Sequence, residues 1–60
     1  MTKTEARAHL GLKETDPIQQ TGLRTLLEIA ETALRTGHYA PSEKANLEKE
    51  AAAYRALLDD

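Results

Sequence analysis

Apolar residues recur at helical spacing along most of the chain, and three segments follow from that spacing and its punctuation. Between residues 17 and 36, Ile18, Gly22, Leu23, Leu26, Leu27, Ile29, Ala30, Ala33 and Leu34 fall within one arc of roughly 180° on a helical wheel. Arg24, Glu28, Glu31 and Arg35 fall opposite, and the spacings Arg24–Glu28 and Glu31–Arg35 suit a solvated, mutually paired face. A narrower stripe of Leu47, Ala51, Tyr54 and Leu58, flanked by Leu57, predicts a helix over residues 43–58. Lys44–Glu48 adds an i,i+4 pair on its outer side. A short helix over residues 4–10 carries Ala6, Ala8 and Leu10.

Punctuation places the ends. Thr2 and Glu5 have the spacing of a capping box, and Gly11 suits a left-handed C-terminal position with Leu12 folding back on the last turn. Asp16-Pro17 reads as an N-cap followed by a proline that loses no needed amide hydrogen bond. The longer second helix, over 17–36, puts Ile18 on the apolar arc; a start at Thr21, with 16–20 as a turn, is the alternative and spares Gly22 an interior position. Gly37 stops that helix, and Ser42 is expected to cap the third. Asp59 and Asp60 place negative charge at a helix C-terminus, where fraying is expected.

Composition agrees with an all-α fold. Ten of the 60 residues are alanine and nine are leucine, without valine or phenylalanine, a mixture that favours helix over strand. Residues 1–60 are read as one helical domain: a short N-terminal helix, then an antiparallel helical hairpin. The apolar arc of the second helix is nearly twice what one partner helix covers. A two-fold dimer of hairpins, a four-helix-type bundle with the first helices at its ends, is therefore expected; a compact three-helix monomer is the alternative. Self-association and core positions are Leu23, Leu26, Ile29, Ala30, Ala33, Leu47, Ala51, Tyr54 and Leu58. An aspartate at Leu26 is expected to bury an unpaired charge. In size and hairpin pairing the chain resembles the Rop-type RNA-binding bundles in architecture alone, since Gly11 and Asp16-Pro17 interrupt what is one continuous helix there.

Charge and chemistry narrow the function classes. Eight basic residues against ten acidic ones give a net charge of −2 with no basic block, which weakens nucleic-acid binding as a reading. Lys3, Arg7, Lys13 and Arg24 are the residues that would carry it as a second hypothesis. No apolar run approaches a membrane span and no secretory h-region is evident, so a cytoplasmic protein is expected. Cysteine is absent, which excludes disulfides and thiolate metal sites. Glu5 and His9 share a face but amount to two ligands, and His38 has no acidic companion, so no metal is expected. Ser42, the one serine, lacks any evident base or oxyanion hole, and the isolated glycines form no phosphate loop. Neither catalysis, a cofactor nor a small-molecule substrate is expected; an enzyme subunit completed by a partner is the remaining catalytic reading. The chain reads as a small interaction module or regulator, a homodimer that binds another protein, with Tyr39, Leu10 and Leu12 as candidate partner contacts.

Overall fold

The computed structural model describes residues 1–59 and contains three helices with no strand among them: α1 (Lys3–Leu10), α2 (Gln20–Thr36) and α3 (Pro41–Leu58). Local chemistry explains α1. The Thr2 hydroxyl accepts from the Glu5 amide at 3.1 Å, and the Glu5 carboxylate accepts from the Thr2 amide at 3.2 Å, which closes the capping box. At the other end Gly11 takes φ +73°, with the Gly11 amide donating to Ala8 and the Leu12 amide to Arg7, a Schellman closure that turns Leu12 back onto the core.

The segment between α1 and α2 is tied down by Arg7. Its guanidinium donates to the carbonyls of Lys13 and Asp16 at 2.7 and 2.9 Å. The Asp16 carboxylate accepts from the Lys13 amide at 2.9 Å, so it is committed to this turn and does not cap α2. The expected start at Asp16-Pro17 is thus corrected: α2 begins at Gln20, one residue before the alternative considered, with Gln19 in the N-cap position and no side-chain cap. Gly22 consequently sits in the first turn. Ser42 is likewise not a cap. Ala40 occupies that position and Pro41 opens α3, its fixed φ already helical and its missing amide unneeded. The Asp59 amide closes the last turn on Arg55 at 3.0 Å, and Asp60 lies outside the described residues.

The four residues between α2 and α3 force two packed helices to run in opposite directions. Gly37 is needed there for closeness: its backbone is extended, but a β-carbon would run into the Tyr39 ring. Both α1 and α2 pack against α3, and they do not pack against each other. The helix with the narrower stripe is therefore the hub, although α2 carries the wider apolar arc. The reason lies in the alanines at 51–53. Ala51 and Ala53 are fully buried and about 160° apart around the axis, so a backbone can approach α3 closely from two sides. The main core joins Ala6, Leu23, Ala53 and Leu57, with Leu10, Leu12, Ile18, Tyr54 and Leu58 packed at its edge.

Candidate interaction surface

The core is built largely of alanine. Ala6, Ala30, Ala51 and Ala53 make up most of it, Leu23 and Leu57 are the large contributors, and no large side chain is fully buried among the described residues. The surplus appears on α2. Leu23 and Ala30 face the interior, whereas Leu26 is 45% and Ile29 61% exposed. These two are thus not core residues of the single chain, and an aspartate at Leu26 buries no charge within it. Of the other assembly positions, Ala51 is buried, and Ala33, Leu47, Tyr54 and Leu58 are half-buried.

The exposed side of α2 has a consistent chemistry. Its four charged residues occupy a sector of only about 60° on the helical wheel. A neighbouring, largely exposed arc carries Gly22, Thr25, Leu26, Ile29, Thr32, Ala33 and Thr36, none of them charged. The Thr25 and Thr36 hydroxyls donate to the carbonyls of Thr21 and Thr32 at 3.1 and 2.8 Å. Their donors are satisfied within the helix, so neither needs a partner outside. At the N-terminal end the stripe runs into an open apolar groove of about 230 Å³ formed by Leu12, Pro17, Ile18, Gln19, Gly22, Leu23 and Leu26. A shallower concavity of about 430 Å³ follows along Ile29, Thr32, Ala33 and Thr36, with Glu28 at its edge.

A separate groove of about 430 Å³ between α2 and α3 is lined by Glu28, Glu31, Thr32, Leu34, Arg35 and Arg55. Within it Arg55 donates to Glu31 at 3.0 Å, an exposed ion pair that adds little stability. This is the one ion pair among the described residues, so the expected i,i+4 pairs Arg24–Glu28, Glu31–Arg35 and Lys44–Glu48 are not formed. Glu31 turns to the neighbouring helix instead, and Arg35 donates to Thr32 at 3.4 Å. With two acids facing two bases, the groove attracts an anion and repels it about equally.

The remaining candidates are placed as follows. Leu10 and Leu12 are half-buried against the core, although Leu12 also borders the apolar groove; Tyr39 is 44% exposed. Lys3, Lys13 and Arg24 are exposed, but Arg7 is spent on the loop carbonyls and Arg24 stands on a helix that does not pack against α1. His9 and His38 are exposed, and no cluster of three metal-ligating side chains occurs among the described residues. Two groups titrate away from their ordinary values. The hydrogen bonds from Thr2 lower the Glu5 pKa below 4.5, and burial, helped by Glu50, raises Tyr54 above 10.0. Both are structural effects. No helix is long and apolar enough to cross a membrane among the described residues.

Sequence reasoning missed the groove and the threonine flank. The signal was available in the confinement of the α2 charges to one sector, which leaves far more than one helix face uncharged. Comparison of the chain with protein families, curated proteins and solved structures finds no match.

Proposed function

We propose that this is a small, non-enzymatic helical interaction module, resident in the cytoplasm, that acts by associating with itself and with another protein. The observation that carries the reading is the outward placement of Leu26 and Ile29 on a flank that holds no charge. Adjacent exposed apolar residues that continue into a groove favour a protein contact over solvent. Its mechanism is occlusion or tethering, and Tyr39 and the Leu12 edge of the groove are further partner contacts. A nucleic-acid reading is weaker, because Arg7 is already hydrogen-bonded to the chain's own carbonyls.

The test is Ile29→Asp alongside Leu26→Asp. Because both side chains are exposed, folding stability should change by only about 0.5 kcal/mol, and helicity by circular dichroism should be retained. Concentration-dependent mass in sedimentation should fall to that of a single chain. A wild-type chain that stays monomeric throughout and binds no protein rejects the reading.

A further inference from the structure

The chain has two ways to use the residues just before α2. We propose that residues 16–19 are a restraining strap. Arg7 keeps Ile18 on the chain's own core, and release of Arg7 lets α2 grow back to Pro17 under an Asp16 cap, which moves Ile18 onto the exposed face of Ile29. This rests on the interaction-module reading and adds the control of its surface.

Three observations carry the inference. First, the direction of Ile18 depends on where the helix begins. At 100° per residue, an α2 that began at Pro17 would place Ile18 within about 20° of Ile29 and about 140° from Leu23. Leu23 is buried and Ile29 is exposed. In the structure Ile18 is instead half-buried and packed against the cluster of Ala6, Leu23, Ala53 and Leu57. It reaches that cluster because residues 17–19 are not helical.

Second, the parts of an earlier start are present. Asp16 and Pro17 are the residue types that favour N-cap and N1. The helix begins instead behind Gln19, with no side-chain cap and no acid in its first turn. Growth back to Pro17 would give the amides of Gln20, Thr21 and Gly22 the carbonyls of Asp16, Pro17 and Ile18 as acceptors, and would let the Asp16 carboxylate accept from Ile18 or Gln19.

Third, both Asp16 acceptors needed for that growth are engaged elsewhere. Its carbonyl accepts from Arg7 at 2.9 Å and its carboxylate from the Lys13 amide at 2.9 Å. The same Arg7 nitrogen donates to the Lys13 carbonyl at 2.7 Å, so one guanidinium holds both ends of the turn to α1. The Asp16 amide closes the turn on Lys13 at 3.1 Å, and opening it lengthens the path as coiling of residues 17–19 shortens it. A partner that covers Ile29 meets Ile18 only in the longer helix, so binding draws the chain toward that state.

The Cα chemical shifts of Pro17, Ile18 and Gln19 in the full chain read the strap with no partner present. Arg7→Gln should raise the helical fraction at these positions at least threefold, and Asp16→Ala added to it should reverse the rise. Shifts that stay unchanged or become coil-like in Arg7→Gln overturn the strap, and a rise that survives Asp16→Ala overturns the cap. Ile18→Ala is the second variant: it removes the tie to the core while leaving Arg7 in place, so it should raise the helical fraction at Pro17 and Gln19, and coil-like shifts there overturn the strap. The interaction-module reading fails separately, on sedimentation of the unaltered chain from roughly 10 µM to 1 mM. A single chain throughout rejects self-association, and the shifts still decide the strap. Where association occurs, Arg7→Gln should strengthen it at least threefold. Unchanged association with residues 17–19 helical overturns the control of the surface.

Discussion

At the scale of single residues, the small side chains do the close packing and a few larger ones are irreplaceable. Ala6, Ala51 and Ala53 are fully buried, so the core gains contact by bringing backbones together and encloses little side-chain volume. Leu57 is the large buried residue that α3 contributes. Leu57→Ala should cost about 2–5 kcal/mol, enough to unfold much of a domain this size, as read by thermal denaturation. Tyr54 gives a spectroscopic check. Its pKa is raised by burial and then by Glu50, so the folded chain holds its proton more tightly than the unfolded one. In Tyr39→Phe, which leaves Tyr54 as the one tyrosine, tyrosinate absorbance should develop above pH 10. Stability complete below pH 10 is lost as pH rises through that higher value. Residue-scale contacts were only partly legible in the sequence. Glu31 and Arg35 have the spacing of an ion pair, but Arg55 lies 24 positions away in sequence and arrives only on folding.

At the scale of elements, what depends on near neighbours is legible and what depends on a choice between partners is not. The α1 caps are the first kind: Thr2, Glu5, Gly11 and Leu12 are in position by spacing alone, and each makes the contact that spacing suggests. Glu5 has a pKa lowered by the Thr2 hydrogen bonds, so the box is fully made above about pH 4.5 and should loosen as pH falls through the lower folded value. Glu5→Gln should remove that acid-side loss while retaining the hydrogen bond, and α1 amide chemical shifts followed against pH would show it. The start of α2 is the second kind. Asp16 can cap a helix ahead of it or accept the Lys13 amide behind it, and the Arg7 guanidinium on the carbonyls of the same turn favours the latter. Arg7→Gln should free this turn, and faster amide exchange at Lys13 and Asp16 is the expected signature.

At the scale of the whole molecule, the position of the hub determines what is left over. With α1 and α2 both on α3, the helix of widest apolar arc ends at the periphery and presents Leu26 and Ile29 outward. If a second copy covers that flank, the melting temperature of the chain should rise with concentration, and in Ile29→Asp it should not. The sequence by itself determined the helix count, the α1 caps and the sidedness of α2, because helical periodicity and capping act over a few neighbouring residues. Only the tertiary structure decided which helix is central and which apolar residues remain outside. That choice turns on how closely two backbones can approach: the alanines of α3 let both other helices in, and the leucines of α2 cover just one side of their own.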